Sequence, residues 1–174
     1  EMNRQHKLAS NYLTGQRLVN FASYNRFNEI LLTDTSPDRN VLEGSGENLI
    51  FYLGSNRFVS PAQTGKAILP GTTLKTADQI IRSLGGEITY RDIPLKEILD
   101  GKFLGAAMSG TAAEITPISL VFDPKTKRAV EIPVAGEIKN LQKIYLDLVS
   151  GLEVDRRLND FQKSLILEVK WNPK

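Results

Sequence analysis

The chain has 174 residues, of which 41% are hydrophobic and 24% are charged, and its formal net charge is +2. This length and composition predict one soluble globular domain with a sizeable core, and the small net charge gives no reason to expect binding to nucleic acid. The chain has no cysteine and a single histidine, His6, which excludes disulfides, thiolate chemistry and histidine-rich metal sites. No apolar run approaches membrane-spanning length. We therefore expect a cytoplasmic protein without a metal, whose partners are small molecules or other protein chains.

The first third of the chain is predicted to contain one helix and several strands. Residues 2–10 are predicted as a short strand, and residues 12–27 carry apolar groups at helical spacing, which predicts a helix with a broad buried face. Strands are predicted over residues 29–33 and up to Leu53. The tripeptide Gly54-Ser55-Asn56 predicts a hairpin into the following strand.

The rest of the chain is predicted to alternate helices and strands. Residues 74–84 predict a helix that a threonine of Pro70-Gly71-Thr72-Thr73 caps and that ends at Gly85-Gly86. Apolar residues from Val134 to Leu148 recur at intervals of three and four residues and predict a second helix, which ends near Gly151. A terminal strand is predicted within residues 164–171. Further strands are predicted at residues 87–90, 103–108 and 115–122, and a short helix at residues 95–99.

The segment Glu43-Gly44-Ser45-Gly46-Glu47-Asn48 is the most informative motif, because it places two carboxylates in a small-residue turn between apolar runs. Two glycines allow the backbone to approach a ligand closely, and a carboxylate held there needs a positive partner. The segment is not a dinucleotide fingerprint, since Leu49 stands where the third glycine belongs and no helix is predicted to follow. Nor do other small-residue motifs indicate a nucleotide site or a nucleophile: Gly65-Lys66 lacks the rest of a P-loop, and Ser45 and Ser109 lack the Gly-x-Ser-x-Gly context.

Two further turns could bind an anion. Pro70-Gly71-Thr72-Thr73 combines hydroxyl groups with the free N–H groups of a helix N-terminus, and Ser109-Gly110-Thr111-Ala112 offers a hydroxyl and open amides. Taken separately, each turn is also explained as an ordinary cap or turn. Together with the glycine-framed carboxylate and the early Lys7, they suggest a cofactor that carries both a phosphate and a cationic ring.

Four motifs, in this order, resemble those of the class IV (fold-type IV) pyridoxal-phosphate aminotransferases, and most closely the branched-chain amino acid aminotransferases. They are residues 7–12 (KLASNY), 43–48 (EGSGEN), 69–73 (LPGTT) and 109–117 (SGTAAEITP). The resemblance extends from Lys7 to Gly151. It implies the α/β (α+β) fold of the family's large domain, a mostly antiparallel, barrel-like sheet with peripheral helices, and pyridoxal 5′-phosphate as the cofactor.

The resemblance also implies roles for individual residues. Lys7 matches the catalytic lysine that bonds to the cofactor and moves a proton to and from the substrate α-carbon. Tyr12 matches the tyrosine that hydrogen-bonds the phenolic oxygen of the cofactor, and Glu43 matches the carboxylate that pairs with the ring nitrogen. The residues that match the phosphate cradle are Thr72, Thr73 and Thr111, and those that match the turn for the substrate α-carboxylate are Thr111 and Ala112.

The implied reaction is transfer of an amino group from L-leucine, L-isoleucine or L-valine to 2-oxoglutarate. Glu47 favours this L-amino acid type over two alternatives of the same fold, a D-amino acid aminotransferase and an aminodeoxychorismate lyase. A non-catalytic binding or structural domain is the alternative from another class.

The resemblance further implies a domain organisation. Family members have a small N-terminal domain before the lysine, and only six residues precede Lys7 here. We therefore expect residues 1–152 to be the C-terminal, cofactor-binding domain, residues 153–174 to be a C-terminal extension, and the small N-terminal domain to be absent. We expect low activity from this chain alone, and a homodimer or higher homo-oligomer.

Overall fold

The computed structural model describes residues 9–63, 68–152 and 155–165, which contain a five-stranded sheet, a two-stranded sheet and surrounding helices. The strands are β1 (Asn48–Gly54), β2 (Arg57–Pro61), β3 (Glu87–Arg91), β4 (Gly105–Gly110), β5 (Glu114–Pro117), β6 (Leu120–Asp123) and β7 (Arg128–Glu131). The helices are α1 (Ala9–Tyr24), α2 (Thr72–Ser83), α3 (Leu95–Leu99), α4 (Gly136–Val149) and α5 (Asn159–Leu165), and a 3₁₀ turn (Arg156–Leu158) precedes α5. Within these ranges, no helix has the length and apolar character needed to cross a membrane.

The larger sheet has the strand order β3-β2-β1-β4-β5, and β6 pairs with β7 in the smaller one. All neighbouring pairs are antiparallel except β2 and β3. A parallel pair requires a crossover connection, and α2 lies within it. The predicted hairpin at Gly54-Ser55-Asn56 is confirmed, because Ser55 and Asn56 both adopt the positive φ that such a tight turn requires. The mixed fold class, with a mostly antiparallel sheet and peripheral helices, is confirmed as well.

The central strand β1 is buried on both faces. Ile50 and Tyr52 belong to a cluster that α2 and α4 complete, whereas Leu49 and Phe51 belong to a second cluster that includes α3. Successive side chains of a strand point to opposite faces, so a strand that is covered on both sides has a continuous apolar run instead of an alternating one. This explains the unbroken apolar sequence at residues 49–53.

The N-terminal part differs from its prediction. The helix α1 begins at Ala9, inside the segment predicted as a strand, of which residues 2–8 lie outside the described ranges. It ends at Tyr24, since Arg26 adopts φ 65° and the Asn25 side chain donates to the Phe21 carbonyl. The predicted broad buried face is wrong at Leu18 and Phe21, which are 44% and 64% exposed, whereas Ala22 is buried. Apolar spacing predicts a helical stripe but does not determine whether a neighbour covers it.

Residues 29–33 do not form the predicted strand. Pairing there is limited to the isolated bridge between Thr33 and Val41. Beside it, the Leu32 N–H donates to the Glu43 carbonyl, and the Leu32 carbonyl accepts from the Leu42 N–H. The pairing ends at Asp34, whose side chain accepts hydrogen bonds from the backbone N–H groups of Ser36 and Asn40 and so turns the chain away.

The helix α2 begins at Thr72, two residues earlier than predicted, and Gly71 is its N-cap residue. The predicted threonine cap is therefore wrong, and no side chain of the described residues caps this helix end. The predicted stop is confirmed, since Gly85 adopts φ 82° and its N–H donates to the Arg82 carbonyl.

The strand predicted at residues 115–122 is two strands in different sheets. β5 ends at Pro117 and pairs with β4, whereas β6 pairs with β7, a short strand that the sequence analysis did not predict. The Ile118 N–H still donates to the Ala106 carbonyl at 2.9 Å, so the chain leaves the larger sheet only after this residue. The predictions of α3 and α4 are confirmed, although Val134 precedes α4 and is exposed. The terminal strand is wrong at Ser164 and Leu165, which lie in α5, and its remaining residues fall outside the described ranges.

An ion pair between the partly exposed Arg39 and the buried Asp123 ties the loop at residues 34–40 to the β6–β7 hairpin. The two terminal nitrogens of Arg39 donate to the two carboxylate oxygens of Asp123 at 2.8 and 2.9 Å. The Asp123 side chain is fully buried, and it also accepts from the Thr126 hydroxyl and the Lys125 N–H. The hydrogen bonds from Arg39 are the main reason that the pKa of the Asp123 carboxyl lies well below its usual range.

We predict that Asp123→Asn lowers the free energy of unfolding by about 3 kcal/mol, because it leaves the Arg39 guanidinium without its charged partner. Denaturant unfolding measures this loss. Asp147→Asn is the matched control, since it removes an exposed pair with Lys143 on α4 and should cost less than about 1 kcal/mol. Equal losses in the two variants would contradict the prediction.

We also predict the direction of acid sensitivity. The pKa of Asp123 is lower in the folded protein than in the unfolded chain, so its stabilising contribution is complete above about pH 4 and is lost as the pH falls. Asp34 also stabilises the fold less as the pH falls, since hydrogen bonds from Ser36 and Asn40 lower its pKa to about 2. Urea unfolding across this acidic range should show a smaller loss of stability in Asp123→Asn than in the unmodified chain. Parallel curves would contradict this expectation.

Candidate active site

The Glu43–Glu47 loop lies just before β1 and is closed on itself. The Gly44 N–H donates to the Glu47 carbonyl at 2.7 Å, and the Leu32 N–H donates to the Glu43 carbonyl at 2.8 Å. A Cβ on Gly44 would lie 2.8 Å from Glu47 Oε2 and 3.6 Å from the Ile30 carbonyl oxygen. A side chain at this position would displace the Glu47 carboxylate, and the predicted close approach of this backbone to a ligand stays a prediction.

The Glu43 side chain reaches from this loop to the turn before α2. Its Oε2 atom accepts a hydrogen bond from the Leu69 N–H at 3.1 Å, and the side chain is partly buried. A partly buried carboxylate that is anchored by a backbone donor has a fixed position, and it favours a positive group beside it. The structure thus gives a fixed position to the Glu43 carboxylate, for which the sequence predicts a positively charged partner.

The N-terminus of α2 is able to bind an anion. The N–H groups of the first helical residues, Thr72, Thr73 and Leu74, have no acceptor within an α-helix, and no described side chain caps them. The helix dipole adds a partial positive charge at the same end. Thr72 is exposed and Thr73 is buried, so the two hydroxyls differ in their access to solvent. Backbone donors and the dipole together favour a phosphate or a carboxylate here.

The third segment is the turn between β4 and β5. It contains Thr111, Ala112 and Ala113, and it closes where Gly110 pairs with Glu114, which adopts φ 53°. Thr111 and Ala112 are exposed. A Cβ on Gly110 would lie 3.1 Å from Glu47 Cγ and 3.5 Å from the Gly46 carbonyl oxygen, so this turn packs directly on the carboxylate loop.

Ser109, at the end of β4, has a buried hydroxyl that makes no hydrogen bond within the part of the chain that the structure describes. Ser109 is the cross-strand partner of Asn48, so the two side chains lie on the same face of the sheet. A buried hydroxyl without a partner costs roughly 1–3 kcal/mol. A ligand with acceptor oxygens would satisfy this hydroxyl, and in this respect the site fits a phosphate-bearing group.

The structure thus brings most of the predicted site residues into three segments that meet at one end of β1. The carboxylate loop touches both the turn before α2 and the turn after β4. Lys7 lies outside the described residues, as do His6 and Gly65-Lys66. Tyr12 lies in α1, but its side chain is not among those that the structure describes. The three segments carry five of the predicted site residues, Glu43, Thr72, Thr73, Thr111 and Ala112.

The sequence motifs give no individual role to two polar residues of this site, Asn48 and Ser109. Both are buried, with exposed fractions of 4% and 1%. Asn48 could have been singled out, because it shares a strand face with the apolar Ile50 and Tyr52, where a polar side chain requires a specific partner. Ser109 belongs to the predicted anion-binding turn at residues 109–112, but the motif gives its own hydroxyl no separate role.

Glu47 adds a second carboxyl group to the loop. Burial is the main cause that raises its pKa, the neighbouring Glu29 raises it further, and the hydrogen bond from the Gly46 N–H opposes both effects. The loop therefore holds the carboxyl of Glu47 in an environment that disfavours its ionised form.

Comparison with known proteins identifies relatives of the chain. Residues 2–121 match the family model described as amino-transferase class IV. A probable branched-chain-amino-acid aminotransferase of Staphylococcus aureus is 26% identical over 151 residues, which are 84% of this chain and 41% of that protein. The branched-chain-amino-acid aminotransferase of Pseudomonas aeruginosa is 37% identical over 117 residues, which are 66% of this chain and 35% of that protein.

A solved structure also matches the fold. The branched-chain amino acid aminotransferase from Thermobaculum terrenum, in its PLP-form (holo-form), superposes with a TM-score of 0.72 at 25% identity. The match covers 87% of this chain and 47% of that one. The chain therefore spans less than half the length of these relatives.

We predict that Glu47→Gln stabilises the protein at neutral pH. The pKa of Glu47 is higher in the folded than in the unfolded protein, so its ionisation destabilises the fold as the pH rises above about 4. Glutamine keeps the acceptor for the Gly46 N–H and can donate toward Glu29. The melting temperature at pH 7 should rise by about 2 °C, and the gain should shrink toward pH 4. Glu87→Gln, at an exposed position of β3, is the control, and a lower melting temperature in Glu47→Gln than in this control would contradict the prediction.

Proposed function

The chain belongs to the class IV aminotransferase family, and on this premise we propose that it is the cofactor-binding part of an enzyme that transfers the amino group of L-branched-chain amino acids to 2-oxoglutarate. The proposed cofactor is pyridoxal 5′-phosphate. The observation that carries the proposal is that three segments pack against one another: the loop with the Glu43 carboxylate, the turn that leads into the N-terminus of α2, and the turn with Thr111 and Ala112. The relatives support the substrate class by their names, and the PLP-form of the Thermobaculum terrenum structure supports the cofactor.

The residues present fit this cofactor. A phosphate requires several donors and a positive field, which the first turn of α2 supplies, and the unpartnered Ser109 hydroxyl lies on the same sheet face as Asn48, which contacts the turn before that helix. A pyridine nitrogen requires a carboxylate to stay protonated, and Glu43 supplies it. Leu69 links the two, since it donates to Glu43 and lies three residues before the helix.

When bound, pyridoxal phosphate withdraws electrons from the substrate α-carbon. In the proposed mechanism, Glu43 holds a proton on the ring nitrogen, and the α2 N-terminus fixes the phosphate. The backbone N–H groups at Thr111 and Ala112 bind the substrate α-carboxylate and orient the α-carbon. Lys7 Nζ would take the proton from the α-carbon of the amino acid in the first half of the reaction and would supply one to the α-carbon of the second substrate in the other half, a role that rests on the match of its motif.

The activity is proposed for the whole enzyme, because the chain spans 41% of the length of the Staphylococcus aureus relative. Within that enzyme, we assign the cofactor-binding domain to residues 1–152 and a C-terminal extension to residues 153–174. A homodimer or higher homo-oligomer and a cytoplasmic location belong to the same proposal, as the family resemblance implies.

Covalent labelling tests the cofactor assignment. The chain is incubated with pyridoxal 5′-phosphate, reduced with borohydride, digested and mapped by mass spectrometry. We expect one dominant label on Lys7, lost in Lys7→Ala and retained in Lys125→Ala, a substitution in the β6–β7 turn. Uniform labelling of exposed lysines, or no label on Lys7, would contradict the proposal.

A second variant tests the carboxylate. Glu43→Gln removes the negative charge from the position assigned to the ring nitrogen, and it should weaken binding of pyridoxal 5′-phosphate about tenfold, the equivalent of roughly 1.4 kcal/mol. Equilibrium titration followed by absorbance measures this change, with Glu87→Gln as the control for a lost surface charge. An unchanged affinity would contradict the role of Glu43.

Half-reactions of the full-length enzyme with L-leucine, D-alanine and aminodeoxychorismate test the substrate class. The proposal predicts amino-group transfer from L-leucine. Preference for either of the other compounds would replace the branched-chain assignment with another activity of the same fold.

A further inference from the structure

We propose that Asn48 is a positioning residue that fixes the first turn of α2 in the shape that holds the cofactor phosphate, an inference that rests on the proposed function. Asn48 is the first residue of β1 and is 4% exposed. It follows the carboxylate loop directly, and its strand partner is Ser109. It therefore lies where the three segments of the site meet.

The Asn48 amide holds the turn before α2 by a hydrogen bond. Its Nδ2 donates to the Leu69 carbonyl at 2.8 Å, and the same carbonyl accepts from the Gly71 N–H at 2.9 Å. The Leu69 N–H donates in turn to Glu43 Oε2 at 3.1 Å. Both polar backbone groups of Leu69 are thus bound by side chains from the segment 43–48, which leaves this turn little freedom to rotate.

A steric contact completes this arrangement. A Cβ on Gly71 would lie 2.1 Å from Asn48 Oδ1 and 3.3 Å from its Cγ. Gly71 has φ −64° and ψ 139°, which any residue can adopt. Glycine is therefore required at this position for space and not for its backbone conformation, and the Asn48 side chain occupies that space.

These contacts determine the direction of the phosphate donors. Gly71 is the N-cap of α2, so a shift of Gly71 also moves the N–H groups of Thr72 and Thr73. An anion site built from backbone donors depends on their direction, because hydrogen bonds weaken steeply when they are misaligned. Loss of the Asn48 side chain should therefore weaken contacts to the phosphate more than contacts to the ring.

The first experiment separates the phosphate from the ring. Affinities for pyridoxal 5′-phosphate and for pyridoxal, which has no phosphate, are measured for the unmodified chain, Asn48→Ala, and the control Asn140→Ala at an exposed position of α4. We expect Asn48→Ala to lose about tenfold in affinity for pyridoxal 5′-phosphate and less than about twofold for pyridoxal. A purely structural role would lower both affinities together.

The second experiment is a double-mutant cycle that needs no cofactor. Gly71→Ala should lower the melting temperature by roughly 5 °C, because its methyl group clashes with Asn48. In the Asn48→Ala background, the same substitution should cost less than about 2 °C, since the space is then open. Gly136→Ala is the matched control, because it also lies at a helix N-terminus and its added Cβ would meet no atom within 4 Å.

The outcomes distinguish this inference from the proposed function. Coupling in the cycle with selective loss of pyridoxal 5′-phosphate affinity supports the positioning role. Coupling with equal loss for both compounds, or no coupling, overturns that role and leaves the proposed function standing. An unmodified chain that binds neither compound and takes no label on Lys7 overturns both.

Discussion

Burial of both faces of β1 is the constraint on which the rest of the structure depends. The strand lies at the centre of the sheet, with α2 and α4 on one side and α3 on the other. A fully enclosed strand has little freedom to shift, because a slip of one residue would exchange every side chain between the two clusters. The ends of such a strand are fixed points from which loops can hold functional groups, and the candidate site lies at one of these ends.

The candidate site keeps apart two negative charges that would otherwise repel each other. A phosphate and a carboxylate repel, so both are tolerated in one site only where each faces its own positive partner. Here the N-terminus of α2 provides the positive field for an anion, and Glu43 is held on a different segment. The hydrogen bond from Leu69 to Glu43 sets their relative position through the backbone, without an additional charged side chain. Such an arrangement suits a ligand that carries negative charge at one end and positive charge at the other.

Close backbone contacts recur throughout this site, and they explain its dependence on glycine. A Cβ built on Gly44, Gly71 or Gly110 would lie only 2.8, 2.1 or 3.1 Å, respectively, from the nearest side-chain atom of a neighbouring residue. None of the three is needed for a left-handed backbone. Gly44 allows its own loop to close, whereas Gly71 and Gly110 allow segments from distant parts of the chain to approach more closely than side chains normally permit. The site is therefore defined by packing of the backbone as much as by its polar groups.

The sequence by itself determined the family, the mixed fold class and the short motifs that supply the site, because each motif combines residue types with a local chemical meaning. It also determined α3, α4 and the β1–β2 hairpin, whose apolar spacing or turn residues are local. Only the tertiary structure decided that Phe21 is exposed, that residues 115–122 divide between two sheets, and that Asn48 and Gly71 interlock. These features depend on what covers a surface or meets it from far along the chain, and local spacing carries no information about such distant partners.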